Sequence, residues 1–506
     1  MKSAATHSPG GHGTDFFAIF TPATKHYPHM MEFFNPPAPA QRVPADRIDT
    51  EYRRLRLRVF LGAFVGYAAY YLVRKNLSLA APGMIAEGLL DKESAGVAMA
   101  GIPIAYAFSK FIMGSLSDRS DARKFLVVGL ILAATVMICV GVIPFSTSIS
   151  VNCGVLFAFM LAAGWISGMG WPPCGRVMAH WFSQNERSFK MSVWNTSHNV
   201  GGGSLALLVS AGIALFAAAG ITESWRAAFI FPAAVALLLA LFCWWTLRDT
   251  PESCGLPPIE EYRHDYSGRA AAKGEEDKIP FRRLFVDYVF RNRLLWMIAI
   301  ANVFVYFVRY GISDWSPTYM HDMQIMSQNQ SRVAFSLFEY AGIPGTIVCG
   351  WISSRFFNGR CAPVNVIYMV LVIIGVVTYW QSAAVASLFG GDPDTTRRIV
   401  VYTALALTGF AVYGPIALIG IQALSFVPKN AAGTAAGFVG LFGYLLGDAL
   451  LSKIVVGQIA GHSSLGWNAT FWLFTAACII ATLICAVTWK KELDTMRERL
   501  KKAAQK

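Results

Sequence analysis

The stretch Tyr70-Tyr71-Leu72-Val73-Arg74-Lys75-Asn76 sets two adjacent positive charges inside a long apolar run that begins near Val59. Part of this stretch returns 235 residues later, where Tyr306-Phe307-Val308-Arg309 follows the pattern of Tyr71-Leu72-Val73-Arg74 within another apolar run. Each run is long enough to cross a membrane as a helix. The repeat therefore predicts one arginine inside the bilayer in each of two related segments.

A second pair of segments keeps nearly the same offset. Gly114-Ser115-Leu116-Ser117-Asp118-Arg119 returns 236 residues later as Gly350-Trp351-Ile352-Ser353-Ser354-Arg355. Two repeats at almost equal offsets do not arise easily by chance. They predict a chain of two similar halves, each of which carries one of the two arginines.

The composition is typical of proteins that cross the membrane many times, because 55% of the 506 residues are hydrophobic and only 14% are charged. In lipid, each crossing segment must satisfy its own backbone hydrogen bonds, so apolar runs of about 20 residues are read as helices. The predicted fold is an all-α membrane protein with twelve transmembrane helices in two pseudo-symmetric six-helix bundles. The predicted spans are residues 58–80, 96–117, 124–144, 152–172, 191–216, 226–247, 293–317, 332–355, 363–382, 398–422, 433–457 and 468–489.

The formal net charge of +13 is explained by membrane topology, so no nucleic-acid partner is expected. With a cytoplasmic N-terminus, 31 Lys and Arg residues fall on the cytoplasmic side and five fall in the outer loops. Basic residues concentrate on the cytoplasmic side of membrane proteins. The distribution predicts that both termini are cytoplasmic.

The sequence divides into five predicted parts. Residues 1–50 mix Pro, Gly, His and Thr without a helical period, which predicts a disordered cytoplasmic tail. Residues 248–292 are rich in Pro and then in charge, which predicts a flexible cytoplasmic linker between the halves. The other parts are the six-helix halves at residues 51–247 and 293–490 and a cytoplasmic tail at residues 491–506.

Cysteine and histidine spacing gives no sign of a metal site or of enzymatic chemistry. The nine cysteines show no C-x-x-C spacing and the nine histidines are scattered. No combination of nucleophile, base and oxyanion donor is evident either. The prediction is a protein without a metal or another cofactor, and not an enzyme.

Leaving Lys453 aside, we interpret seven ionisable residues as lying deep in the predicted spans. They are Arg74, Lys75, Lys110, His198, Arg309, Asp314 and Glu339. Each costs at least about 2.5–3.5 kcal/mol at a helix centre, so each is expected to face a partner or a watery cavity. If one of the two lysines pairs with one of the two carboxylates, a positive excess remains around Arg74 and Arg309. That excess requires an anion.

Arginine suits the binding of a phosphate, because its planar fork is always charged and donates two parallel hydrogen bonds to phosphate oxygens. The alternative is that internal carboxylates satisfy both Arg74 and Arg309. We favour an anion site, since the two arginines are related by the repeat and membrane proteins built from two such repeats often bind their ligands near the midplane between them.

The chain resembles the organophosphate:phosphate antiporter family of the major facilitator superfamily over nearly all of residues 32–490. The resemblance is carried by residues 70–76, 109–119, 170–176, 194–203, 248–262, 300–319 and 339–351. It implies a monomer in the bacterial inner membrane. It also implies rocker-switch import of a small organophosphate, glycerol-3-phosphate, in exchange for cytoplasmic inorganic phosphate.

The resemblance also implies roles for single residues. Arg74 and Arg309 would grip the phosphate, His198 would add a donor, and Lys110 would lie near the site. A charge-pair network that rearranges between inward and outward states would consist of Lys75, Asp314 and Glu339. The cavity lining would consist of Tyr67, Tyr71, Tyr106, Trp171, Trp194, Asn195, Tyr306, Tyr413 and Tyr444.

The sequence departs from the pattern of the family in two respects. Asp448 and Lys453 form a charged pair that is more similar to the hexose-6-phosphate carriers, and Ser354 replaces an expected Asp in the repeated loop. Two alternatives to glycerol-3-phosphate transport therefore stay open. One is a hexose-6-phosphate:phosphate antiporter, and the other is a membrane sensor of sugar phosphates that transports little.

Overall fold

The computed structural model describes residues 32–221, 223–265, 284–427 and 431–504. Within these ranges the chain is helical and contains no strand, which confirms the predicted all-α fold. The described residues from Pro36 onward belong to one compact unit, and residues 32–35 belong to another. Residues 1–31 of the predicted tail and residues 266–283 of the predicted linker lie outside the described residues.

Eighteen α-helices, numbered here in chain order, make up most of the described structure. They are α1 Ala45–Tyr71, α2 Asn76–Ala86, α3 Lys92–Ser117, α4 Ala122–Val142, α5 Ile149–Ser167, α6 Trp171–Trp181, α7 Gln184–Asn195, α8 Ser197–Ala218, α9 Ala227–Thr246, α10 Ile259–Arg263, α11 Arg293–Asp322, α12 Gln328–Phe357, α13 Ala362–Trp380, α14 Ser382–Ala386, α15 Pro393–Ser425, α16 Ala432–Phe442, α17 Val456–Gly461 and α18 Gly466–Ala504. Short 3₁₀ turns lie at Ser224–Arg226 and Glu252–Cys254, and π-helices lie at Leu284–Phe290 and Gly443–Val455.

Eleven helical stretches in the described ranges are long and apolar enough to cross a membrane, and each matches one predicted span. The remaining predicted span, residues 58–80, falls on two helices, because α1 ends at Tyr71 and α2 begins at Asn76. The predicted tail and linker also contain regular structure, since α1 begins at Ala45 and α10 lies within the linker range. The division into domains stays a prediction.

The break between α1 and α2 is held by a side chain that replaces helical hydrogen bonds. Asn76 Nδ2 donates to the carbonyl of Leu72 at 2.9 Å and to the carbonyl of Ala228 at 2.8 Å. Ser78 Oγ donates to the carbonyl of Lys75 at 2.7 Å. Buried backbone groups need partners in a membrane, so these bonds stabilise the interruption that contains Arg74.

The π-helix Gly443–Val455 replaces α-helical turns in the eleventh predicted span. A π-helix has more residues per turn than an α-helix and occurs often at functional sites. The wider turn brings residues five apart onto the same side. As a result, Lys453 Nζ lies 3.1 Å from Asp448 Oδ1.

Glycines allow some helices to touch through their backbones. A Cβ atom at Gly345 of α12 would lie 1.9 Å from the carbonyl oxygen of Phe410 in α15. The run Gly201-Gly202-Gly203 also lies against neighbouring helices. The helix α8 continues through them, and a Cβ at Gly201 would lie 2.1 Å from the carbonyl oxygen of Ala68.

The connections between helices lie on two opposite faces of the bundle. The basic face carries the connections 118–121, 247–258 and 358–361, and the opposite face carries the connections 87–91, 143–148, 323–327 and 462–465. On the basic face, Asp249 Oδ1 accepts from the backbone N–H of Ala122 at 3.0 Å, at the start of α4. Glu492 Oε2 accepts from the N–H of Ala362 at 2.9 Å, at the start of α13, so a similar cap is present in each half.

Several contacts toward the opposite face join the N-terminal half, residues 36–265, to the C-terminal half, residues 284–504. Lys92 Nζ lies 2.7 Å from Asp322 Oδ2. Ser336 Oγ donates to the carbonyl of Gly203 at 2.7 Å. A Cβ at Gly96 would lie only 2.3 Å from the carbonyl oxygen of Lys453. The halves are therefore closely packed on this side of the bundle.

Candidate functional site

Arg74 lies in the break between α1 and α2, where the chain leaves the helical path. Its side chain is buried among aromatic rings, and only 8% of the residue is exposed. The guanidinium carbon Cζ lies 4.1 Å from the ring centre of Tyr106, 5.4 Å from that of Tyr71 and 5.9 Å from that of Tyr444. Aromatic faces attract a cation, so these rings hold the guanidinium without neutralising its charge.

Arg309 lies in the middle of α11 and is also surrounded by tyrosines. Its Nη1 donates to the hydroxyl of Tyr310 at 3.1 Å and its Nη2 donates to the hydroxyl of Tyr413 at 3.2 Å. The guanidinium carbon lies 4.5 Å from each of these two ring centres. Its Nε is buried and has no hydrogen-bond partner. Arg309 therefore keeps unused donor capacity and its full charge.

Neighbouring side chains form a closed ring that includes the two arginines. Tyr71, which lies beside Arg74, is 5.6 Å from the ring of His198, and His198 is 5.6 Å from the ring of Tyr413, beside Arg309. On the other side, Tyr444 and Tyr310 complete the closed ring, with their aromatic ring centres 6.4 Å apart. We call this group the arginine–tyrosine ring. It consists of Arg74, Tyr71, His198, Tyr413, Arg309, Tyr310 and Tyr444.

Neither arginine forms an ion pair with a carboxylate of the described residues, taking 4 Å as the limit between nitrogen and oxygen. Neither arginine is thus paired directly with an internal carboxylate, although the hydroxyl of Tyr413 links Arg309 to Glu339. One full positive charge from each half remains in the ring. Two positive charges in one buried ring of side chains are unfavourable unless negative charge accompanies them.

A buried network of lysines and carboxylates lies next to the ring. Lys75 Nζ lies 3.3 Å from Asp314 Oδ1 and 3.1 Å from Glu339 Oε1. Lys453 Nζ bonds to the second oxygen of Asp314 and lies 3.1 Å from Asp448 Oδ1. Because Lys75 comes from the N-terminal half and the other four come from the C-terminal half, the network joins the halves.

The structure resolves the open choice of lysine partner. Lys75 contacts both carboxylates that the sequence marked, Asp314 and Glu339. Lys110 is exposed, and the contact seen for it in the described residues is with the ring of Trp171, at 5.8 Å. Lys110 therefore lies outside the network, on the exposed side of the site.

The other predicted lining residues lie around the ring at different depths. Tyr106 and Tyr306 pack against Tyr444, with ring centres 5.0 and 5.2 Å away. Tyr67 packs between Tyr71 and Trp194, and the indole N–H of Trp194 donates to the carbonyl of Ala63 at 3.1 Å. Trp194 thus packs against α1 and offers little surface to a ligand.

Trp171 and Asn195, the remaining predicted lining residues, differ in their exposure and contacts. Trp171 is 38% exposed at the start of α6, with its ring 6.3 Å from Trp194. Asn195 is half-buried, and its backbone carbonyl contacts Nδ1 of His198. This contact orients the imidazole, so that Nε2 is the nitrogen left for a ligand.

Three residues near the ring were absent from the predicted site. Tyr310 closes the ring, and its position directly after Arg309 was the available signal. Asp448 and Lys453 had been noted only as a departure from the family pattern. Their pairing with Asp314 depends on the π-helix, which the sequence pattern did not reveal.

A small cavity of about 30 Å³ opens between the ring and the network. This volume holds about two water molecules. Its polar lining consists of Arg74, Lys75, Ser78, Tyr310, Asp314, Asp448 and Lys453. The cavity gives the buried charges room for water or for a small polar group.

The site is therefore suited to a small anion with several acceptor oxygens. Two guanidinium groups and the tyrosine hydroxyls supply donors, and the low polarity of the surroundings strengthens each bond. No group of three or more metal-ligating side chains occurs in the part of the chain that the structure describes.

Comparison with known proteins agrees with the fold. The Major Facilitator Superfamily profile matches residues 63–452. The chain is 47% identical to the glycerol-3-phosphate transporter of Bacillus subtilis, over 91% of this chain and 98% of that protein. It is 40% identical to the glycerol-3-phosphate transporter of Haemophilus influenzae, over 91% and 96% respectively.

More distant similarities extend to other phosphate esters and to other transporters. A probable hexose phosphate transport protein of Chlamydia pneumoniae is 33% identical, over 92% of this chain and 99% of that protein. Among solved structures, an inward-facing bacterial homologue of the human lysosomal transporter Spinster aligns with a TM-score of 0.61 at 16% identity, covering 88% of this chain and 98% of that one. At that identity, the likeness concerns the fold alone.

Proposed function

The chain belongs to the Major Facilitator Superfamily, and from that premise we propose that it imports glycerol-3-phosphate in exchange for cytoplasmic inorganic phosphate. The observation that carries the proposal is the arginine–tyrosine ring, in which Arg74 and Arg309 come from different halves and have no carboxylate partner. A phosphate group suits both guanidinium groups, because guanidinium and phosphate form parallel hydrogen bonds. The shared phosphate explains how one site accepts both the ester and the inorganic ion.

Exchange follows from the electrostatics of an empty site. Closing the cavity without a ligand would remove two unpaired guanidinium groups from water, at a cost of several kcal/mol for each ion. Bound phosphate offsets that cost, so the barrier between the two states falls only when the site is loaded. The carrier then returns with phosphate instead of returning empty.

The roles of neighbouring residues follow from their positions. His198 offers a further contact to the phosphate, while Tyr71, Tyr413 and Tyr444 shape the site. The network around Lys75, with Asp314 and Glu339, joins the halves and is expected to rearrange when they rock. Lys110 and Trp171, on the exposed side, are proposed to receive the substrate as it enters or leaves.

The distribution of basic residues supports the proposed orientation. Arg119, Arg123 and Lys124 lie on the basic face, so this face is assigned to the cytoplasm by the positive-inside rule. Both termini are then cytoplasmic. We propose a monomer in the bacterial inner membrane, with the opposite face turned outward.

A second candidate is exchange of a hexose-6-phosphate. It is favoured by the buried Asp448–Lys453 pair and by the similarity to a probable hexose phosphate transport protein. Glycerol-3-phosphate is preferred, because the two relatives with that name are more similar and match almost the whole chain. A sensor with little transport is the third candidate, and uptake by purified protein distinguishes it from both carriers.

The exchange mechanism is tested with purified protein in liposomes. Vesicles are preloaded with inorganic phosphate or with inert buffer, and uptake of radiolabelled glycerol-3-phosphate is measured. We expect uptake only where phosphate is inside. Equal uptake in both preparations would rule out obligate exchange.

The substrate is tested by competition in the same vesicles. Homologous phosphate exchange is measured against rising concentrations of unlabelled glycerol-3-phosphate or glucose-6-phosphate. We expect glycerol-3-phosphate to inhibit at lower concentration. The opposite order would favour the hexose phosphate.

A further inference from the structure

A cluster of three arginines gathers at the membrane edge of the basic face, apart from the arginine–tyrosine ring. Arg58 comes from α1, Arg123 from the first turn of α4, and Arg248 follows the end of α9. All three approach Trp244 and Trp245, near the C-terminal end of α9. We call this group the arginine cluster.

The contacts show how closely the cluster is assembled. The guanidinium carbon of Arg58 lies 4.0 Å from the ring of Trp245, and that of Arg123 lies 4.7 Å from the ring of Trp244. Arg248 Nη1 donates to the carbonyl of Trp245 at 3.1 Å, and Arg58 contacts the same carbonyl. Burial and the nearby charges of Arg58 and Arg123 lower the pKa of Arg248 from its ordinary value.

Acidic side chains do not balance the cluster. Over the described ranges, no carboxylate oxygen lies within 4 Å of Arg58 or Arg248. The nearest to Arg123 is Asp121 Oδ2 at 3.9 Å, and the other oxygen of Asp121 accepts from the backbone at the start of α4. The Nε of Arg58 is buried without a hydrogen-bond partner. Donor capacity and positive charge are therefore both left over.

Capping of α9 explains only part of this arrangement. Arginines near a helix C-terminus interact favourably with its carbonyls, but the helix end carries only about half a negative charge. Three full positive charges meet that half charge and one carboxylate, Asp121. More than one positive charge remains unbalanced.

The location of the cluster indicates which kind of group neutralises its excess positive charge. Trp244 and Trp245 are 42% and 63% exposed at the end of a membrane-spanning helix. Tryptophan in such a place lies at the level of the lipid headgroups. Basic pockets between helices at this level bind anionic headgroups. The half-buried guanidinium groups beside these rings are thus within reach of a lipid phosphate.

We propose that the arginine cluster of Arg58, Arg123 and Arg248 is a binding site for the headgroup of an anionic phospholipid, whose acyl chains lie along Trp244 and Trp245. The phosphate accepts hydrogen bonds from the unused guanidinium N–H groups and neutralises the excess charge. The bound lipid ties the basic-face ends of α1, α4 and α9 together. This site is separate from the proposed transport site and does not depend on the transported substrate.

The proposal is tested with purified, delipidated full-length protein titrated with phosphatidylglycerol or with phosphatidylcholine, with bound lipid counted by native mass spectrometry. We expect phosphatidylglycerol to bind on the order of a hundredfold more tightly, since each of the three arginines contributes roughly fivefold. Equal binding of the two lipids would overturn the proposal. Inorganic phosphate is expected to leave lipid binding unchanged, and displacement of the lipid by phosphate would place it at the transport site and overturn the assignment.

Substitutions locate the site. The double variant Arg58→Gln/Arg248→Gln is expected to lose most of the preference for phosphatidylglycerol, by a factor of about 25. The double variant Arg54→Gln/Arg119→Gln is the matched control, because it removes the same two positive charges from exposed positions on the same side. If both variants keep the preference, or if both lose it equally, the cluster is not the site. Should the double variant fail to fold, the comparison of lipids on the unsubstituted protein still decides the question.

Discussion

Lys453 supplies half of the positive charge in the buried network. It bonds to Asp314 and lies 3.1 Å from Asp448, while Lys75 lies within 3.3 Å of Asp314 and Glu339. Two lysines therefore face three carboxylates. Without Lys453, a single lysine would remain for all three, in a place that water scarcely reaches.

We expect Lys453→Met to destabilise the protein by about 3–5 kcal/mol, as does removal of one partner from other buried ion pairs. The double variant Asp448→Asn/Lys453→Met restores the original balance of charge and should recover most of that loss. Thermal unfolding of the purified variants measures both effects. Equal destabilisation in the single and double variants would show that the charge balance is not the cause.

The residues of the site could be found from the sequence where a charge interrupts an apolar run. Arg74, Arg309, Lys75, Asp314 and Glu339 all stood out for that reason, since a charge in lipid requires a function or a partner. Tyrosines are less informative, because they also pack as ordinary core residues. The sequence did not predict that Tyr310 closes the ring, or that Trp194 serves chiefly to pack against α1.

At the scale of the helix, hydrophobic length predicted where the chain crosses the membrane but not where its helices break. The interruption at residues 72–75 depends on a tertiary contact, because Asn76 bonds to the carbonyl of Ala228 in α9. The π-helix Gly443–Val455 likewise leaves no hydrophobic signature. Both irregular segments border the site, where a regular helix would turn its side chains elsewhere.

The close approach of α12 and α15 at Gly345 gives a prediction for these two helices. We expect Gly345→Ala to destabilise the protein by about 1–3 kcal/mol, since the new Cβ would lie 1.9 Å from a backbone oxygen of α15 and would push the helices apart. Gly350→Ala in the same helix is the control, because nothing lies within 4 Å of its Cβ position. Thermal unfolding should show a loss for the first variant and no loss for the second. A similar loss in both would indicate that helix propensity or another cause outweighs the contact.

For the whole molecule, the contacts between the halves place the closed side at the opposite face. The pair Lys92–Asp322 spans the halves there, and Trp467 Nε1 donates to the same carboxylate at 3.0 Å. Transport by rocking requires these groups to separate once in each cycle. The static structure and the proposed function together therefore demand a transient opening at this face.

A cross-link at this position should stop transport. In Lys92→Cys/Asp322→Cys, treatment with a short bifunctional thiol reagent is expected to abolish exchange in proteoliposomes, because the halves can no longer part at the opposite face. The single substitutions Lys92→Cys and Asp322→Cys, treated in the same way, control for reaction of the nine native cysteines. Full exchange by the cross-linked protein would show that the halves do not separate there.

The central claim is that one arginine from each half binds the same phosphate. Its most direct test is equilibrium binding of radiolabelled inorganic phosphate to purified Arg74→Lys and Arg309→Lys, with the buried Arg332→Lys as the control outside the ring. Lysine keeps the charge but cannot donate two parallel hydrogen bonds, so each ring variant should bind phosphate at least roughly tenfold more weakly. The control variant Arg332→Lys should bind phosphate as the unsubstituted protein does. Unchanged phosphate affinity in either ring variant would contradict the account.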